Sequence, residues 1–259
     1  MDLGLEGSVV FVSGGSAGIG RSVVDRLLHE GATVATCARD GERLRAAYAD
    51  VGPGRVLLDT CDVTDPEALR AGIERTVARF GRLDGVVANA GTGARGDVLD
   101  VDLETLDMQF AVKTHPVLTM VRAAMPHLRD SPHPSVVVMN GVTAHAPDLE
   151  MAAVSTARAA VAALVALLAR RLAVEGIRVN AVNVGAVVTD RQRERHTADA
   201  ADQVFEDWCV QEAVRRGIPL GRMGRPDEVA PVVALLLSPL AAYITASAVD
   251  VAGGLGARV

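Results

Sequence analysis

Seven short apolar runs punctuate the chain: "SVVFVS" (8–13), "ATVATCA" (32–38), "RVLLDT" (55–60), "LDGVVAN" (83–89), "SVVVMN" (135–140), "IRVNAVN" (177–183) and "AVDVAG" (248–253). Most are apolar at successive rather than alternate positions, which predicts strands covered on both faces. Helical periodicity fills the intervals, over 19–30, 41–50, 65–80, 103–129, 151–175 and 226–237. Strand–helix alternation from end to end predicts βαβ units and a parallel sheet of about seven strands flanked by helices. Crossovers of this kind are right-handed, so the sheet winds doubly and opens a ligand crevice at the C-terminal ends of its strands. No linker, low-complexity tract or repeat divides the chain, and 1–259 reads as a single α/β domain. Segment 190–218 breaks the rhythm. It is polar and arginine-rich, holds the only tryptophan, Trp208, and fits a lid over the crevice as well as an ordinary surface insert. Residues 229–249 carry no charge, but Pro231, Ser238, Pro239 and Thr245 interrupt them. Proline breaks helices, so a short helix, a loop and a strand are expected there instead of a membrane span.

Composition narrows the picture. Hydrophobic residues make up 49% of the 259 positions but aromatics only 3%, so the core must be packed from Ala, Val and Leu. The net charge of −6 disfavours nucleic acid as a partner, because phosphate contacts need a basic surface. Cys37, Cys61 and Cys209 show no paired spacing; neither a metal site nor a disulfide framework is expected. With an acidic N-terminus that lacks a signal-peptide pattern, this points to the cytoplasm.

The first strand runs into glycines: "VVFVSGGSAGIGRSVVDRLL". Glycines let a backbone turn tightly against a pyrophosphate, and the following helix offers free N–H groups and a positive dipole end. Gly14-x-x-x-Gly18-Ile19-Gly20 resembles the TGxxxGIG fingerprint of the short-chain dehydrogenase/reductase family, with Ser13 in place of the threonine. Five further stretches agree in order. "CDVTD" (61–65) is similar to the family's adenine-contacting pair, here Asp62 and Val63. "VANAG" (87–91) is similar to its NNAG turn, with Ala88 for the first Asn. "GIRVNAVNVGAVVTD" (176–190), with Val184 for a proline, "PLGRMGRPDEVA" (219–230) and "YITASAVDVAGG" (243–254) resemble its later signatures. The resemblance spans nearly the whole chain. It implies a single-domain Rossmann fold and a dinucleotide held by Ser13, Gly14, Ser16, Gly18, Ile19, Gly20, Arg39, Asp62, Val63, Asn89, Ala90, Gly91, Arg158, Val187 and Thr189.

The second strand bears on which dinucleotide. A carboxylate at its end would take the ribose hydroxyls and select NAD. Here Ala38 stands at that place and Arg39 follows, a guanidinium suited to a 2′-phosphate. Asp40 lies one step further, where it suits a helix cap. NADP(H) is therefore expected over NAD(H).

At the catalytic end the chain departs from the family's Asn, Ser, Tyr and Lys. "STARAAV" matches SASKAAV, which puts Arg158 at the lysine and Val154 at the tyrosine; the serine falls at Gly141 and the asparagine at Lys113. In the fold the resemblance implies, the two tyrosines, Tyr48 and Tyr243, lie too far from helix 151–175 to substitute. Arg158 keeps donors for ribose hydroxyls but cannot trade protons at ordinary pH. Lys113, the only lysine, can lose its proton if it is desolvated. The same segments hold His115, Asn140, Thr143, His145, Asp148 and Ser155, and histidine is the natural neutral-pH proton carrier. The candidate catalytic groups are Lys113, Arg158 and His145. Three readings stay open: an oxidoreductase on a small-molecule carbonyl or alcohol with a rebuilt proton relay, an NADP(H)-binding pseudoenzyme or regulatory subunit, and a non-redox lyase or isomerase on the same scaffold. Helix 151–175 is small and apolar almost all round; with 103–129 it predicts a homotetramer or homodimer.

Overall fold

The computed structural model describes residues 1–52 and 54–257. Seven parallel strands form one sheet in the order β3-β2-β1-β4-β5-β6-β7. They are β1 (Val9–Ser13), β2 (Thr33–Ala38), β3 (Val56–Thr60), β4 (Gly85–Ala88), β5 (Ser135–Gly141), β6 (Arg178–Val184) and β7 (Ala248–Val251). All seven runs thus become strands. The first six lie within two residues of their expected ends, while β7 stops at Val251, ahead of the positive-φ pair Gly253 and Gly254. The order reverses between β1 and β4, so the crevice opens beyond the carboxyl ends of those two strands.

The helices are α1 (Gly18–His29), α2 (Gly41–Ala47), α3 (Pro66–Phe80), α4 (Leu103–Lys113), α5 (His115–Leu128), α6 (Ala152–Leu172), α7 (Asp190–Asp199), α8 (Phe205–Arg215) and α9 (Pro226–Leu237). Side chains alternate across each strand. Val9 and Phe11 of β1 join the core under α3, α5 and α6, whereas Val10 and Val12 join the core under α1, α2 and α9. The length and apolarity of α6 follow from its place as the crossover between β5 and β6, packed on both.

Two expectations are corrected. The single helix over 103–129 is two helices, α4 and α5, meeting at Thr114. Pro116 has no N–H to give and its ring crowds the carbonyl four residues back, so the helix restarts. Lys113 thereby becomes the last residue of α4. The helix over 41–50 stops at Ala47; Tyr48 caps its end, is buried, and donates from its hydroxyl to the Gly15 carbonyl (2.6 Å). Segment 190–218 forms α7 and α8 around a small cluster of its own, with Trp208 packed beside Ala186, Ala213, Ile218 and Met223. Ion pairs tie it to the body: Arg43–Asp190, Arg95–Asp199 and Arg215–Glu150.

Candidate active site

The cofactor end is built by strand ends. Ser13 Oγ accepts from the amides of Asn89 (3.0 Å) and Ala90 (3.1 Å), while Asn89 Nδ2 donates to the carbonyls of Ser13 and Gly14. These bonds lock the end of β1 to the end of β4. A Cβ on Gly20 would stand 2.1 Å from the Gly14 carbonyl, so only glycine lets α1 begin this close to the loop. Helix α1 opens at Ala17 with no side-chain cap and no acidic residue in its first turn. Its free amides and positive end face the loop, which fits a pyrophosphate. Nothing lies within 4 Å of where a Cβ on Gly91 would project, so that turn borders open space. Thr189 closes the far side, its Cγ2 3.2 Å from a Cβ on Gly18. Val187 lies deeper, bridged to Gly224. Ser16 and Ile19 are half-buried in the glycine loop, and Val63 is half-buried beyond β3.

At the adenosine side Ala38 ends β2, and Arg39 is exposed beside Asp62, whose carboxyl its charge helps to hold low. The larger cause is that Asp62 accepts from the amide and hydroxyl of Thr64. Asp40 caps α2 through the Arg43 amide (2.9 Å), as its place after Arg39 suggested. The neighbouring strands β2 and β3 also bring the Cys37 and Cys61 thiols into hydrogen-bond contact, a pairing invisible in their spacing.

The catalytic end gathers three cations. Lys113, half-buried, donates from Nζ to the Thr92 carbonyl and to Gln109 Oε1, one turn back on α4. Desolvation first, then the charges of Arg158 and Arg191, bring its pKa down to about 7. Arg158, on α6, is held by burial and by Arg191 at about 10, so it stays charged at neutral pH. The turn of α6 that carries it is fixed to β5, because Asn140 Nδ2 donates to the Arg158 carbonyl (3.2 Å). Arg191, at the start of α7, donates to the Gly91 carbonyl (2.8 Å).

The guanidinium of Arg158 takes up the space beside Gly141. A Cβ there would lie 2.6 Å from Nη1, 2.8 Å from Cζ and 3.0 Å from Nε. Gly141 has φ −151°, an extended backbone open to any residue, so room and not backbone geometry makes this position glycine. Val154 is buried in the α6 core and offers no polar atom. Neither tyrosine lies here: Tyr48 is bonded to Gly15, and Tyr243 is fully exposed before β7. His145 stands in the seam with the C-terminal segment, its Nε2 3.2 Å from the Gly256 carbonyl and 3.3 Å from Asp250. Ser155 accepts from the Asp148 amide (3.2 Å), and His115 is exposed on the outer face where α5 begins. Arg191 was missed by motif matching; its position in the polar break after Thr189 was the available signal.

Residues 14–256 match a family model described as enoyl-(acyl carrier protein) reductase. The chain is 34% identical to L-fucose dehydrogenase from Bos taurus, over 96% of this chain and 89% of that one. It is similar to the NADPH-bound structure of a short-chain oxidoreductase from Pseudomonas aeruginosa PAO1, described as containing an atypical catalytic center: TM-score 0.92, 39% identity, 97% of this chain and 98% of that one. L-sorbose reductase from Gluconobacter frateurii, complexed with NADPH and L-sorbose, superposes with a TM-score of 0.92 at 26% identity over the full length of both chains. With its doubly wound sheet, its glycine loop and these relatives, the chain belongs to the short-chain dehydrogenase/reductase family of oxidoreductases.

Proposed function

We propose that the protein is an NADP(H)-dependent carbonyl reductase, or the reverse alcohol dehydrogenase, in which Lys113 carries the proton and Arg158 polarises the carbonyl. The observation that carries this reading is the pairing of a lysine at a pKa of about 7 with an arginine that fills the space beside Gly141. When bound, the nicotinamide cofactor supplies or takes the hydride. Arg158 directs N–H donors at a carbonyl oxygen in the place where the family's serine hydroxyl would act. Lys113 Nζ gives that oxygen a proton as negative charge builds on it. Two neutral acceptors, Thr92 O and Gln109 Oε1, hold Nζ in place without neutralising it. The cytoplasm is the proposed compartment, consistent with three free thiols.

The test is a carbonyl screen with NADPH consumption as the readout, followed by Lys113→Ala. A broad panel without NADP(H)-dependent turnover would favour the regulatory subunit. Product formation without change in the nicotinamide would favour the lyase or isomerase.

The preference for NADP(H) rests on Arg39 beside Ala38, with Asp40 engaged as a cap. Calorimetric titration is expected to show NADPH binding more tightly than NADH, and Arg39→Ala narrowing the gap by about tenfold, the worth of one charge-assisted contact. Equal affinities in the wild type would reverse the assignment.

The outer faces of α4 and α6 are the proposed interface of a homodimer or homotetramer. Met108 and Leu167 are exposed there, and Ala159, Ala162, Ala163 and Ala166 line the open side of α6. Light scattering at micromolar concentration is expected to give a multiple of the chain mass; a monomer would remove the proposal.

A further inference from the structure

Lys113, Arg158 and Arg191 come from three different elements, α4, α6 and α7; Lys113 and Arg191 bond to the consecutive carbonyls of Thr92 and Gly91, and Arg158 lies close enough to both for their charges to act on one another. Among the described residues, the side-chain hydrogen bonds of Lys113 and Arg191 go to neutral acceptors: the Thr92 carbonyl, the Gln109 amide and the Gly91 carbonyl. Among the described residues none of the three enters an ion pair, whereas Arg95 in the loop after β4, Arg195 on α7, and Arg215 and Arg216 at the end of α8 do. Among the described residues the carboxylate that acts on Arg191 is Glu194, on its own helix. The three charges instead press on one another: Arg158 and Arg191 both act on Lys113, and Arg191 acts on Arg158.

A cluster of like charges is unfavourable where two of its members, Lys113 and Arg158, are half-buried and the lower dielectric strengthens repulsion, although Arg191 itself is exposed. The nearby acidic residues offer little relief: Glu194 acts on Arg191 but on neither Arg158 nor Lys113. Asp190 is turned outward to Arg43, and Glu150 to Arg215. An anion seated among the three would remove the repulsion and gain charge-assisted hydrogen bonds, one of them from a planar guanidinium suited to two oxygens. Resting on the carbonyl-reductase reading above, we propose that the site takes a carbonyl substrate that also bears an anionic group, a carboxylate or a phosphate, and that Arg191 is the residue selecting for that charge. Arg158 and Lys113 are then left to the carbonyl oxygen, while Arg191, reaching from α7, meets the charged end. Segment 190–218 thereby contributes specificity to the site.

The test uses matched pairs that differ in charge, titrated calorimetrically into the NADPH-loaded protein: pyruvate against methyl pyruvate for a carboxylate, dihydroxyacetone phosphate against dihydroxyacetone for a phosphate. At least one charged member is expected to bind more tightly than its neutral partner by about tenfold or more, the worth of a hydrogen bond to a charged group. Arg191→Ala should collapse that ratio. Arg191→Gln, which keeps an amide donor but removes the charge, serves as the check if the alanine variant melts early. Equal binding within both pairs overturns the proposal. So does an unchanged ratio in the Arg191 variants, or an Arg191 effect confined to NADPH affinity, which would assign the charge to the cofactor. Because the readout is binding, the two readings fail separately. Charge selection without turnover leaves the anion site standing and removes the reductase. Turnover of neutral ketones without charge selection does the reverse.

Discussion

Replacing Lys113 by alanine is expected to lower carbonyl reduction by about 10²–10⁴-fold, the usual loss of a general acid, while leaving NADPH affinity close to wild type. The amine is desolvated at the end of α4, beside Arg158 and Arg191, and its pKa falls from 10.5 to about 7. Its place at a helix C-terminus opposes that fall, since the negative dipole end favours a cation. Reduction needs the protonated form. Its kcat/KM should therefore fall as pH rises through about 7, and alcohol oxidation should show the opposite limb. A bound anion would favour the charged amine and move the kcat limb to higher pH.

The same shift sets a stability slope. In the unfolded chain the lysine holds its proton up to about 10.5, while the folded protein releases it near 7. Between those values the unfolded state binds more protons, so stability rises with pH across this window; below it the full cost of a buried charge remains. Lys113→Met should flatten the slope in denaturant melts taken from neutral to alkaline pH. Wild-type turnover by the alanine variant would end the lysine mechanism.

How far the sequence already showed this site differs by part. The sheet was legible because its strands are buried on both faces, which leaves uninterrupted apolar runs such as Val9–Val12 and Val136–Val138. The cofactor loop was legible because spacing constrains it: Gly20 is glycine because a Cβ there would lie 2.1 Å from the Gly14 carbonyl, a demand that any sequence with this turn must meet. The break between α4 and α5 was signalled by Pro116 but masked by a periodicity that continues through it, with Val112, Val117, Met120 and Val121 all buried. Register could align Lys113 with the family's asparagine, but the direction of Nζ depends on the Thr92 turn, far away in sequence. Arg191 escaped notice for the same reason: its target is the Gly91 carbonyl, 100 residues earlier. The loss of the serine and the gain of the arginine appeared as two unrelated departures, and only the packing of a guanidinium against Gly141 makes them one.

That link gives the second prediction. Gly141→Ser alone would place a Cβ 2.6–3.0 Å from three atoms of the Arg158 guanidinium, closer than such atoms can pack. The side chain must swing or the end of β5 must shift, and overpacking of this kind costs about 1–3 kcal/mol. The backbone adds nothing to the penalty, because Gly141 is already extended. Arg158→Lys on its own withdraws the planar fork from the space beside Gly141 and should cost little stability. In the double variant the serine occupies the space that the guanidinium left. The pair should then be more stable than Gly141→Ser alone, with a coupling energy of about 1 kcal/mol or more in a double-mutant cycle measured by urea unfolding. Adding Val154→Tyr completes the family's triad. Because Val154 is buried in α6, a tyrosine must either overpack the helix or turn its ring toward the crevice. If it turns, generic NADPH-dependent ketoreductase activity should rise above that of the double variant, since a tyrosine beside a lysine is once more available as acid. Strict additivity in the cycle would mean that Gly141 and Arg158 are independent, and the case for Arg158 as the stand-in for the serine would fall with it.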